Sequence, residues 1–273
     1  MPNRPRNVEM FALRQPPLER LSVAGSCYAL RRVFKHDFWA ATCLYEAPET
    51  APLRRVVVKF GRTQPLWGFP MSWYARWLTA HEESIYRALV GVAGVPRWAG
   101  RVGDTAFAIE YIDARPLDHI EHPPAGFFDR LRSVLDAIHA RGVAYGDANK
   151  RSNILVTDDE RAFLIDYQIS IRRREDWPAP LRWLLGRVVE YLMAKDLYHL
   201  YKHKRRLARS ELRAGEEALS HHGGGLHWLH RKLSKPYRAL RRRLLSRQYR
   251  RGMRSPTDEL EDHHQPEKDT WRH

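Results

Sequence analysis

Between residues 20 and 60 short apolar runs alternate with polar and turn residues. They are "YALRRVF" at 28–34, "FWAATCLYE" at 38–46 and, after the loop "APETAPL", "RRVVVKF" at 54–60. Such runs of β-branched and aromatic residues predict successive antiparallel strands. From Ser72 to Val90 the spacing becomes helical, with Ile85, Leu89, Tyr86 and Trp77 on one stripe, and "GVAGVP" stops the helix. "FAIEYI" at 107–112 reads as a further strand. "FFDRLRSVLDAIHARG" then carries apolar residues at 127, 128, 131, 134, 135 and 138, an amphipathic helix closed by Gly142 at its C′ position. Short hairpin strands follow in "VAY", "NILV" and "AFLIDYQIS". Beyond Trp177 the pattern is helical through about Arg209. No internal repeat is present.

Composition narrows the class. At 273 residues, with 43% hydrophobic residues, nine Trp and twelve Tyr, the chain can bury a real core and is not globally disordered. The length suits one large domain or two small lobes sharing a cleft. Cys27 and Cys43 lie 16 apart without metal-binding spacing, so both are expected to be buried free thiols in a reducing compartment. The charged start "MPNRPRNVEMFALRQPPLERL" has no apolar core of a signal peptide. No run reaches the ~18 apolar residues of a membrane span. The expectation is a cytoplasmic protein, soluble or peripheral on the inner face of the membrane.

Net charge is +15, and residues 201–273 hold 19 Lys and Arg against 9 Asp and Glu. Basicity therefore belongs mainly to the tail and concerns partners. Leu226, Leu229, Leu233, Tyr237, Leu240 and Leu244 recur at steps of three or four, and eleven Lys and Arg without an acid lie between Arg231 and Arg254. This 226–254 segment fits a helix docked on the rest of the chain. It also fits an anchor on an anionic membrane, where each basic side chain contributes about 1 kcal/mol. Nucleic acid ranks third, since no recognition motif accompanies the charge. The histidines 221, 222, 227 and 230 surround "GGG" without a cysteine or carboxylate frame and read as a solvated stretch. The polar end 255–273 reads as disordered.

Four separated elements carry candidate chemistry. Lys59 ends the apolar run "VVVKF", where an ammonium is costly unless an anion meets it. Glu82, in "HEESIYRAL", shares a helix side with Tyr86 and Leu89 and could pair with Lys59; Glu83 is the competing choice. Such an ion pair would hold a cation on nucleotide phosphates. The loop "VAYGDANKRSNILV" supplies Asp147, able to accept the proton of an attacking hydroxyl, and Asn153. Asp166 ends the strand "FLID"; with Asn153 it offers the hard oxygens that Mg²⁺ takes alongside phosphate and water. His139 reads as structural. Asp196, in "MAKDLYHL", reads equally as a brace of the loop and as an exposed helix charge.

The stretch "AIHARGVAYGDANKRSNILVTDDERAFLIDYQIS" resembles the protein-kinase-like superfamily run "LHxxGxxHxD…N-I-L…D-F-G". Lys59 and Glu82 fall where that superfamily has its strand lysine and helix glutamate, and "AIEYI" resembles its adenine-binding hinge. The resemblance covers roughly residues 25–200 and is nearest to the atypical bacterial branch of Rio and lipopolysaccharide core-sugar kinases. It implies an α+β, two-lobed fold over 20–210, with an N-lobe at about 20–110 and a C-lobe at about 113–210. A basic helical extension over 211–254 follows.

The activity implied is ATP- and Mg²⁺-dependent transfer of the γ-phosphate to a hydroxyl of a protein Ser/Thr or of a glycan. Lys59, Glu82, Lys35, Glu110 and Ile112 are implied at the nucleotide, Asn153 and Asp166 at the metal, Asp147 and Lys150 in catalysis. The chain departs from the pattern in four places. The turn "VFKHDFWAAT" lacks the glycines of the nucleotide loop, with Phe38 as a capping aromatic and Lys35 or His36 as phosphate contacts. Tyr145 replaces the usual His. Asn153 lies six residues after Asp147, against the usual five, so Asn153 or Asn149 takes the metal position. Tyr167 and Gln168 follow Asp166, and no docking segment ending in "APE" comes next. The alternative is a nucleotide-binding scaffold without turnover.

Overall fold

A computed structural model describes residues 11–66 and 68–221; the predicted basic helix 226–254 and the polar end 255–273 lie outside the described residues. The protein is a mixed α+β molecule with an antiparallel sheet and four α-helices among the described residues. Strands β1 (Arg20–Val23), β2 (Ser26–His36), β3 (Ala40–Glu46), β4 (Arg55–Gly61), β5 (Trp98–Val102) and β6 (Ala106–Glu110) form one sheet in the order β1-β2-β3-β4-β6-β5. Helix α1 (Ser72–Ala88) is inserted between β4 and β5. The remainder comprises β7 (Ala114–Pro116), α2 (Phe127–Ala140), β8 (Val143–Ala144), β9 (Ile154–Thr157), β10 (Ala162–Leu164), β11 (Ile171–Arg172), α3 (Ala179–Leu207) and α4 (Ala214–His221). There β10, β9 and β7 make a small sheet and β11 pairs with β8.

Strand alternation sorts the side chains of β4 onto two faces. Val56, Val58 and Phe60 enter a core with Tyr28, Ala41, Cys43, Tyr45, Ala106 and Ala108. Lys59 belongs to the opposite set, beside Phe107 of β6, its register partner. Phe107 lies in a second core, formed with Ile85, Tyr86 and Leu89 of the α1 region, the apolar face of α2, Tyr145, Tyr167 and Leu200. The pleat therefore delivers Lys59 to the side of the sheet where α1 packs. The same alternation separates the two free cysteines: Cys43 is buried, whereas Cys27 is exposed, contrary to expectation.

The helix expected over 72–90 forms, but its stripe is corrected. Ala75, Thr79, Glu82, Ile85 and Tyr86 are buried, at steps of three or four, while Trp77 is exposed and stacks on Tyr74 and His81. Trp77 stands two residues from both Ala75 and Thr79, on the opposite helix side. β1 and β5, which the pattern did not predict, occupy the two edges of the sheet; β1 has only four residues, of which Leu21 and Val23 enter the core.

Two glycines are required by geometry. Gly142 follows α2 at φ 71°, with its N–H on His139 O at 2.8 Å, as a helix C′ glycine does. Gly94 holds φ 83°, and a Cβ there would lie 2.7 Å from Ala162 O and against Val134 Cγ2. Gly94→Ala is expected to destabilise the fold by about 2–4 kcal/mol through overpacking and strain, measured by urea denaturation.

Helix α3 begins after Pro178, and its buried residues start only at Val189. Among the described residues no helix is long and apolar enough to cross a membrane. The first part of the 211–254 segment is not basic in character: α4 docks through Glu216, which with Asp129 of α2 holds the buried Lys204 ammonium at 2.9 and 2.8 Å.

Candidate functional site

Lys59 Nζ lies 2.8 Å from Glu82 Oε1 and 2.8 Å from Asp166 Oδ1. Glu82 is thus the partner. Glu83, one step round α1, pairs with Arg87 and Arg101 near the surface. Burial alone would make Lys59 a weaker base, but the Asp166 and Glu82 charges outweigh it and keep it protonated. Glu82 is 1% exposed, and burial pushes its carboxyl up to about 7 in spite of Lys59. Burial also acts to raise Asp166, but the Lys59 charge and hydrogen bond dominate and hold it below its ordinary value.

These opposite directions have opposite consequences for stability. For Glu82 the folded state retains a proton that the unfolded chain has released between about pH 4.5 and 7. Its contribution is complete below that window and is lost as pH rises through it. The contribution of Asp166 runs the other way and is lost on acidification. Stability of the wild type relative to Glu82→Gln is therefore expected to fall between pH 5 and 7.5 by roughly 2–3 kcal/mol, read from chemical denaturation at each pH.

The loop after β8 places the next two groups. Asn153 Nδ2 donates to Asp147 Oδ2 at 2.8 Å, and Lys150 Nζ lies 3.1 Å from the same oxygen. A 3₁₀ turn over Arg151–Asn153 absorbs the sixth residue of the interval. Asn149 instead accepts from Lys202 Nζ of α3 at 3.0 Å, so of the two asparagines it is Asn153 that contacts Asp147. Burial raises the Asp147 carboxyl, against the nearby Lys150 charge.

Asp166 has φ 64°, a conformation uncommon outside glycine that turns the chain at the end of the strand segment. Its neighbour Tyr167 is buried and packs edge-on against Tyr86 of α1 and Tyr145 of the loop, with centroids 5.1 and 5.3 Å apart. The Tyr145 hydroxyl donates to Ile165 O at 2.5 Å. Three tyrosines thus tie together the elements that carry Glu82, Asp166 and Asp147.

Asp196 is the brace. Buried in α3, it accepts the backbone N–H groups of Tyr145 and Gly146, each at 2.8 Å, and lies 3.1 Å from His139 Nε2. The reading of His139 as structural agrees with this contact. Neither the tyrosine linkage nor the weight of Asp196 was apparent from spacing; of the two acids of α3, Glu190 and Asp196, the second sits within the buried part of the helix.

The β2–β3 turn differs from expectation. Asp37 Oδ1 accepts the N–H groups of Trp39 and Ala40 at 2.8 and 2.9 Å, so a carboxylate takes the backbone donors that a phosphate-cradling loop would offer. Lys35 pairs with Asp37 at 2.9 Å. His36 is buried and its Nε2 accepts Leu13 N–H. Phe38 lies 3.9 Å above the buried Arg62 guanidinium, which also donates to the carbonyls of Phe11, Phe38, Gln64 and Pro65. The turn is held from beneath by Arg62. At the end of β6 the Glu110 carboxylate is spent on Arg97 and its N–H on Arg97 O, so any part in the cleft falls to its carbonyl. Ile112 follows two residues later.

Among the described residues no group of three or more His, Cys, Asp or Glu is arranged to hold a metal ion. One carboxylate and one amide oxygen, from Asp166 and Asn153, suit a hard cation that takes its other ligands from phosphate and water, as Mg²⁺ does. Five groups drawn from β4, α1, the loop and the Asp166 turn thus make up one polar constellation beside the second core. Comparison of the chain with protein-family models and with curated proteins finds no match for either.

Proposed function

We propose that the protein is a phosphotransferase with a two-lobed, protein-kinase-like fold that moves the ATP γ-phosphate to a hydroxyl. The observation that carries this reading is Lys59 bridging Glu82 and Asp166 at 2.8 Å each, with partners 23 and 107 residues away in the chain. A buried ammonium between two carboxylates is costly unless it serves something. Its chemistry suits nucleotide phosphates, which would replace Asp166 as its anionic partner.

In this reading the six-stranded sheet and α1 form the N-lobe, α2 and α3 with the small sheets form the C-lobe, and the second core draws on both. The ATP adenine lies against the backbone of Glu110 and Ile112. Asp147 orients the acceptor hydroxyl and receives its proton. The acceptor oxygen forms a bond to the γ-phosphorus as the bond to the bridging oxygen breaks, and ADP leaves. Lys150 offsets charge on the transferred group. Asp166 and Asn153 would hold Mg²⁺, which supplies neutralisation of phosphate charge when bound. A protein Ser/Thr and a glycan both remain as acceptor classes, and a cytoplasmic setting fits the use of ATP.

A second reading, a nucleotide-binding scaffold, is favoured by one observation: Asp37 occupies the turn where phosphate would be cradled. Mg-ATP turnover by the full chain, assayed with cell-envelope and protein fractions, separates the two. ATP-dependent labelling of a fraction is the expected result. Nucleotide binding without turnover, hydrolysis or autophosphorylation in any fraction would sink the enzymatic reading and leave the scaffold.

A further inference from the structure

Beside Asp147 lie cations that form no ion pair among the described residues. α3 grips the loop through consecutive residues: Lys202 Nζ donates to Asn149 Oδ1 at 3.0 Å, and His203 Nε2 meets Ala148 O at 3.0 Å. Burial holds His203 down at about 4, so its ring is neutral at ordinary pH and donates that bond. Lys202 thus meets the loop at Asn149, next to Lys150 and two residues before Arg151, and Arg206 lies one helical turn further along α3. After burial, which dominates, the charges of Lys202, Arg151 and Arg206 also act to lower His203.

Among the described residues some cations elsewhere are paired and others, such as Arg20, Arg115 and Arg182, are not, so it is the position next to the loop that singles this group out. Arg31, Arg54, Arg97, Arg101, Arg173 and Arg174 each pair with a carboxylate. Among the described residues Arg151, Lys202 and Arg206 make no ion pair, and Lys150 has only Asp147. Asp118, on the 3₁₀ turn that packs against Arg151–Asn153, pairs with none of them. Like charges crowded without an acid repel one another, and an arriving anion relieves that repulsion.

We propose that the acceptor carries an anionic group of its own, a phosphate or a carboxylate, which binds to Arg151, Lys202 and Arg206 and presents the hydroxyl to Asp147. The inference rests on the phosphotransfer reading for the fate of the hydroxyl, while the anion site stands on its own geometry. Arg151 and Lys202 supply the closer contacts, and Arg206 widens the field at the rim.

The test uses the full chain with its nucleotide site saturated by Mg²⁺ and a non-hydrolysable ATP analogue, so that phosphate cannot bind at Lys59. Glucose 6-phosphate, glucuronate and glucose are titrated and followed by NMR line broadening of each ligand. At least one of the two anions is expected to bind at least roughly tenfold more tightly than glucose, and to weaken by a similar factor in the Lys202→Gln/Arg206→Gln double variant. Raising salt from 50 to 300 mM is expected to weaken it further. Which anion binds distinguishes phosphate from carboxylate. Equal binding of all three, binding of none, or an unchanged affinity in the double variant overturns the proposal. Affinity for the nucleotide analogue is expected to stay within twofold in the double variant. If the analogue does not bind at all, the phosphotransfer reading fails, and the sugar titrations repeated without it still decide the anion site.

Discussion

Asp147→Asn is expected to lower phosphotransfer by about 10²–10⁴-fold, the contribution of a positioned general base, with the fold intact. The substitution keeps size and shape, and an Asn oxygen can still accept from Asn153 Nδ2, now 2.8 Å from Asp147 Oδ2. What disappears is the negative charge facing the acceptor and the counter-charge of Lys150. Nucleotide affinity should hardly change, because the contacts expected for ATP lie at Lys59 and the end of β6. The loss should therefore appear in kcat while KM for ATP stays within about twofold. Burial raises the Asp147 carboxyl, so the acid limb of the wild-type rate should fall above the ordinary aspartate value of 3.8. Turnover retained within tenfold would remove Asp147 from the reaction.

Asp196→Ala carries the second large effect, and its signature is different. The carboxylate is 1% exposed and satisfies two backbone N–H groups while contacting His139. Truncation strands those donors in the core, and each buried unsatisfied group costs about 1–3 kcal/mol, giving a total of roughly 3–5 kcal/mol. The unfolding midpoint should therefore drop markedly, by contrast with Asp147→Asn. Activity should fall as well, since Tyr145 and Gly146 lead directly into Asp147. A variant with unchanged stability and activity would mean that Asp196 braces nothing.

The legible part of the site was the part with a local cause. Lys59 at an apolar strand end, and acids beside apolar runs, are anomalies visible in one dimension because an isolated charge there must be explained. Glu82 was preferred to Glu83 on the pattern because it shares a helix side with Tyr86 and Leu89. Packing chose Glu82 by burying it and left Glu83 to two arginines. On the side expected for the nucleotide, the structure supplies partners that spacing did not: His36 accepts from Leu13, Lys35 pairs with Asp37, and the carboxylate of Glu110 pairs with Arg97. Turn side chains hydrogen-bond over short distances whose partners depend on the exact backbone, which spacing does not encode.

The chain by itself determined the mixed α+β class, the central strands β2, β3, β4 and β6, and all three longer helices. Apolar periodicity accounts for them, because each must bury one face. Tertiary structure alone decided the edge strands, the outward turn of Trp77 and the choice of Asn153 over Asn149. It also decided the bracing of the loop by Asp196 from 49 residues further along the chain. The physical reason is common to all of these: they depend on which groups meet across the fold. A buried donor or charge is satisfied by whichever partner packing brings within about 3 Å.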